Sequence, residues 1–290
     1  CSTDSGRDIP AMLFHAMYSA AHLPEDFELF HETDTYTHSR FFASARFVEC
    51  LLTCAFAAGA DDSLFYATQY LDHPIEDRGY LEMFARNRKR FDAYRAALAG
   101  SRPAGCEIIY RPDAVCALPI VCDRTPWMPP LGAILLGRLG IPFTVYPGAA
   151  KLVAGAIAET MSDEELVALL QANVLLDAEA ALTVDRRGFG ALLGVQVETL
   201  AAAPYSCERI RESIGCDDLP GRDIYLLAYQ AVEAAGKFMK LTPDGAEVLT
   251  DYRSPDGKIV QPGFTRFVNR LGGRVAVMAC NLAGNENSTL

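Results

Sequence analysis

Phe27–Leu71 reads FELFHETDTYTHSRFFASARFVECLLTCAFAAGADDSLFYATQYL. The apolar run Phe27–His31 predicts a strand, and the polar residues Thr33–Ser39 a loop. Phe41–Ala58, rich in Ala, Phe and Leu, predicts a helix ended by Gly59, and Ser63–Ala67 a second strand. Strand, polar turn, helix, glycine turn, strand is the order of one unit of a β/α barrel. Such barrels carry their catalytic groups at the C-terminal ends of the strands. The first strand here ends in a carboxylate cluster, Glu32 and Asp34, flanked by His31, Tyr36, His38 and Arg40. The remaining sequence is too short and too different to complete a barrel. A piece of a larger enzyme, carrying part of an active site, is the expectation.

Upstream, Ile9–Leu23 predicts a short apolar helix stopped near Pro24. Downstream, Tyr80–Leu98 is amphipathic, with a basic middle (Arg86, Arg88, Lys89, Arg90) that reads as solvated surface. GSRPAG (100–105) is a linker by composition. An α/β pattern follows: strand Cys106–Tyr110, helix Leu131–Leu139, strand Ile141–Val145, strand Lys151–Ile157. Ser162 and Glu165 have the spacing of a capping box. Val174–Leu176 predicts a buried strand, and Asp177 opens a helix ending near Gly188. Strands alternating with helices at this spacing imply a mostly parallel sheet. From about Tyr205, turn signals (Pro243-Asp244-Gly245, Ser254-Pro255-Asp256-Gly257, Pro262-Gly263) separate short β-type runs at Ile224–Ala228, Glu247–Tyr252, Thr265–Asn269 and Arg274–Ala279.

The 290 residues are 50% hydrophobic and 22% charged, with a net charge of −11. That acidity argues against nucleic acid and anionic membranes as partners, because both need a basic footprint. No apolar run reaches the roughly 18 residues of a membrane helix. Nine cysteines, with no Cys-x-x-Cys and with Cys50 and Cys54 four apart in a helix, predict reduced, buried thiols of a cytoplasmic protein. His31 and His38 match no metal-ligand spacing, so neither a metal nor another cofactor is expected. Cys1 is read as the end of a trimmed or proteolysed chain, a processed lipoprotein being the alternative.

Glu32 and Asp34 have two readings. A barrel glycosidase needs two carboxyl groups astride the scissile bond, one a proton donor and the other a nucleophile or base. Alternatively, both carboxylates cap the following helix. His31 either touches a sugar hydroxyl or packs. Tyr36, Tyr66 and Gln69 suit a sugar site, as aromatic and amide groups do, although Tyr66 equally suits barrel filling. Trp127, between prolines, is either a stacking or subunit-contact loop or a core anchor. Gly188–Gly194 (GFGALLG) lacks dinucleotide-loop spacing and reads as a helix end.

The stretch from His31 to Leu71 resembles the seventh strand, seventh helix and eighth strand of β-galactosidase-like, family forty-two type glycoside hydrolases of the retaining barrel clan. The residues carrying it are Glu32, Gly59-Ala60-Asp61 and Phe65-Tyr66-Ala67-Thr68-Gln69. Leu139–Val145, Met161–Leu166 and Val174–Asp177 resemble the amidotransferase-like, trimerisation α/β domain that follows the barrel in such proteins. The segment Phe267–Val275 resembles one near their end and reads as a Gly-Gly turn between strands. The resemblance implies a partial (β/α)8 barrel over 1–100, an amidotransferase-like domain over 101–204, and a β-rich section over 205–290. It implies Glu32 as nucleophile, an acid/base residue missing from this chain, a β-linked carbohydrate substrate, and a dimer or trimer. The sequence departs from it at Ala67 and Thr68, where Trp and Arg are usual, and this bears on sugar specificity. The turn Leu176-Asp177-Ala178-Glu179 has no Cys and no flanking Gly, so amidotransferase chemistry is not expected. The alternative is a non-catalytic oligomerisation or carbohydrate-binding module.

Overall fold

The computed structural model describes residues 8–24, 26–33, 43–65, 78–111, 114, 131–200, 205–211, 221–225 and 238–282. The chain divides into two units, residues 1–107 with 133–148 and residues 108–132 with 149–290.

Chain order through the first unit runs α1 (Asp8–His22), β1 (Phe30–Thr33), α2 (Ala45–Ala57), β2 (Asp62–Phe65), α3 (Gly79–Leu98), β3 (Cys106–Ile108), α4 (Leu131–Arg138) and β4 (Phe143–Thr144). Ser44 starts α2, its Oγ accepting from the Phe47 N–H at 3.1 Å. The buried face of α2 is Val48, Leu51, Leu52, Ala55 and Phe56, at the three-and-four spacing of a helix laid on a core. Burying each of the larger of these side chains contributes about 2 kcal/mol. α3 answers with Tyr80, Met83 and Phe91, and the Tyr80 hydroxyl donates to the Ala43 carbonyl at 2.7 Å. The one acidic group on the buried face of α2, Glu49, pairs with Arg46 at 3.0 Å and with Arg90 of α3. The Arg90 hydrogen bond leads in holding its carboxyl below the usual range. Arg86, Arg88 and Lys89 are exposed, as expected.

After α2 the chain turns at Gly59, whose φ of +103° lies in the left-handed region that favours glycine. β2 then returns parallel to β1, pairing Phe30 with Asp62, His31 with Ser63, Glu32 with Leu64 and Thr33 with Phe65. β1 begins at Phe30, not Phe27: Leu29 is engaged by Asp61, whose Oδ2 accepts from the Leu29 N–H at 2.8 Å. β3 and β4 form a second parallel pair.

The second unit holds β5 (Ala150–Val153), α5 (Asp163–Leu170), β6 (Asn173–Leu176), α6 (Ala178–Val184), β7 (Val195–Thr199), β8 (Cys207–Ile210), β9 (Asp223–Tyr225), β10 (Met239–Pro243), β11 (Glu247–Arg253), β12 (Ile259–Val268) and β13 (Arg274–Met278). Within it the sheet order is β5-β6-β13-β12-β11-β8-β9. β5, β6 and β13 run parallel, and the pairs from β13 to β9 are antiparallel. The β-rich section is therefore not set apart from what precedes it: β13 joins β6 directly, and Val174, Leu176, Val275 and Val277 share one core. β7 and β10 form a separate antiparallel ribbon. The strand expected over Lys151–Ile157 stops at Val153, because Gly155 takes φ +61° and starts a 3-10 turn. The Ser162–Glu165 capping box is present in both directions, at 3.2 and 2.7 Å. The Gly-Gly turn lies between β12 and β13, where Asn269 Oδ1 accepts from the Leu271 and Gly273 N–H groups.

Candidate functional site

The strand period places Phe30 and Glu32 on one face of β1, and His31 and Thr33 on the other. The burial pattern separates the faces: Phe30 and Glu32 are exposed, His31 is half-buried and Thr33 is buried. Leu64, the parallel neighbour of Glu32, is 62% exposed, so it shares the open face. Glu32 thus projects from a strand that has a parallel neighbour and a connecting helix. It does not cap α2, a task that falls to Ser44.

The covered face carries a compact hydroxyl–imidazole cluster. His31 Nδ1 lies 3.0 Å from Thr33 Oγ1, Thr33 Oγ1 lies 2.7 Å from Ser63 Oγ, and Ser63 Oγ donates to the His31 carbonyl at 2.8 Å. These bonds tie β1 to β2 directly behind Glu32. Burial lowers the His31 pKa from its ordinary value, and the nearby Glu32 charge opposes that shift. Sequence reasoning singled out His31 and passed over Thr33 and Ser63. The signal for Thr33 was its position two residues after His31, which puts both on the same face. Asp34, Tyr36, His38, Arg40, Tyr66, Gln69 and Trp127 lie outside the described residues.

A second acidic position closes β6. Asp177 is fully buried and N-caps α6 through the Ala180 N–H at 2.9 Å, and its other oxygen accepts from Gly155 at 2.9 Å and Leu282 at 3.1 Å. Burial pushes its carboxyl up to about 7, against the pull of those three donors. Nearby, the Asn281 amide donates to Glu179 at 2.7 Å. Asp177 stands at the elbow between β6 and α6. Its oxygens are spent on holding three chain segments together, and no thiol occupies the turn.

No protein-family model matches the chain, and no curated protein matches it. Among solved structures it superposes on a GH42 β-galactosidase from G. stearothermophilus with a TM-score of 0.62 and 13% identity, covering 98% of this chain and 46% of that one. An α-L-fucosidase isoenzyme 2 from Paenibacillus thiaminolyticus gives 0.61 at 16% identity over 93% and 43%. A β-galactosidase from Bacillus circulans sp. alkalophilus gives 0.59 at 14% identity over 98% and 47%. The chain spans about half the length of these enzymes. The mixed α/β fold is like that of about half of a β-galactosidase-like glycoside hydrolase.

Proposed function

We propose that the chain is part of a retaining glycoside hydrolase acting on β-linked sugars, with Glu32 as its nucleophile. The supporting observation is the β1–α2–β2 unit, in which Glu32 leaves the open face of a strand paired in parallel with the next. In chain order, residues 1–100 are the last part of a β/α barrel, 101–204 an amidotransferase-like domain, and 205–290 a β-rich section folded onto it. In the complete barrel the open face of β1 and β2 becomes the lumen. The Glu32 carboxylate attacks the anomeric carbon to give a glycosyl ester, while a carboxylic acid from an earlier strand protonates the leaving oxygen. Water then cleaves the ester, with that second group acting as base. Asp34, Tyr36, Tyr66 and Gln69 are assigned to sugar contact. His31, turned to the far face, is assigned to holding β1 against β2 through Thr33 and Ser63. A dimer or trimer in the cytoplasm is the assembly proposed.

Kinetics of Glu32→Gln in the protein carrying the complete barrel test this reading on aryl β-glycosides. A fall in kcat of about three orders of magnitude or more is expected. Undiminished turnover overturns the assignment.

A further inference from the structure

We propose that Cys50 and Cys54 on α2 form a two-thiolate site for a trivalent, singly substituted arsenical. The inference is independent of the hydrolase reading. Residues four apart on a helix share a face with Cβ atoms about 5–6 Å apart. A disulfide needs about 3.5–4.5 Å between them, so direct oxidation of this pair requires the helix to unwind. Both thiols are free. A zinc site takes three or four protein ligands from Cys, His, Asp or Glu. Among the described residues no group of three or more His, Cys, Asp or Glu is placed to hold a metal ion. The adjacent carboxylate, Glu49, lines the same groove as Cys50 but is engaged by Arg46 and Arg90. What fits is a soft centre that bridges two sulfurs and asks for no third protein donor.

Cys50 is exposed and Cys54 is half-buried. Burial pushes the Cys54 thiol up to about 12, and Cys50 adds to that shift, so the two sulfurs sense one another. Cys50 opens onto a groove of ≈ 550 Å³ that Phe47, Thr53, Arg90 and Tyr94 also line. The Arg90 guanidinium sits 5.9 Å from the Tyr94 ring centre, giving the groove a flat, polarisable wall for an aryl substituent. With an arsine oxide, exposed Cys50 adds first and Cys54 closes the chelate. Two As–S bonds form and the As–O bond is broken. Both thiol protons leave with that oxygen as one water. Arsenic stays trivalent and no oxidant is consumed.

The test is intact-mass titration of the chain with phenylarsine oxide in a large excess of glutathione, which strips arsenic from single thiols. One retained equivalent is expected, released by a competing small dithiol. Digestion with trypsin should place it on the peptide Phe47–Arg78, which carries both thiols and no other cysteine. Cys50→Ser and Cys54→Ser should each weaken retention by roughly a hundredfold, the usual scale of a chelate gain, and Cys106→Ser should leave it unchanged. No retained equivalent, arsenic on another peptide, or full retention in both variants overturns the proposal. Should a variant fail to fold, the peptide assignment on the unaltered chain still decides.

Discussion

Glu32 and His31 are neighbours in the chain and face opposite ways, and that alternation is the clearest residue-scale feature of the site. It predicts unequal effects. On the proposed reading, Glu32→Gln should lower kcat by about three orders of magnitude or more in the protein carrying the complete barrel. Thr33→Val should cost about 1–3 kcal/mol of stability by leaving the His31–Ser63 cluster without its central hydroxyl, measured by denaturant unfolding. Asp177 makes the sharpest stability prediction. Asp177→Ala orphans three buried N–H groups and should cost about 3 kcal/mol or more. Its pH dependence has a definite sign. The folded carboxyl keeps its proton up to about 7, whereas the unfolded one loses it near 3.8. The contribution is therefore fully present below the unfolded value and declines as pH rises through that window. The stability difference between the native chain and Asp177→Asn should shift in that direction between the two values, followed by thermal unfolding. The sequence made Glu32 conspicuous because it ends an apolar run. It gave no means of foreseeing that Asp177 would bind Leu282, since that contact spans 105 residues.

Among elements, those with strong local chemistry were legible before any coordinates. α5 is one: Ser162 and Glu165 announce its start, and Ser162→Ala should cost about 1 kcal/mol. α2 and α3 were readable from their apolar spacing. β1 was found but set three residues early, because Phe27 and Leu29 continue its apolar run while Asp61, not a strand partner, takes the Leu29 N–H. β7, β8 and β10 were passed over. Val195-Gln196-Val197-Glu198-Thr199 does alternate buried and exposed, but it follows directly on a glycine-rich helix end and finds its partner some forty residues later in β10. β8 carries Glu208 and Arg209 mid-strand, which hides its pattern: Glu208 is half-buried and accepts from the Thr250 hydroxyl, and Arg209 pairs with Asp223 of β9. At the β7–β10 ribbon, a Cβ on Gly194 would lie 2.4 Å from the Phe267 ring, and its φ is +67°. Gly194→Ala should cost about 2 kcal/mol or more, from strain and displacement together.

For the whole molecule, the α/β class followed from the alternation of strands and helices, and the mixed sheet of the second unit did not. Its joining strand, β13, lies 97 residues beyond β6 in sequence, so local pattern could not pair them. Phe30 and Leu64 stand exposed at 47% and 62%, on the face that the proposed barrel would enclose. The central claim is that this face aims Glu32 at an anomeric carbon. The measurement closest to it is covalent trapping: the protein carrying the complete barrel is treated with a 2-deoxy-2-fluoro β-glycoside bearing an activated leaving group, then digested and mapped by mass spectrometry. The account predicts the sugar ester on Glu32. A stable ester on any other carboxylate would contradict it.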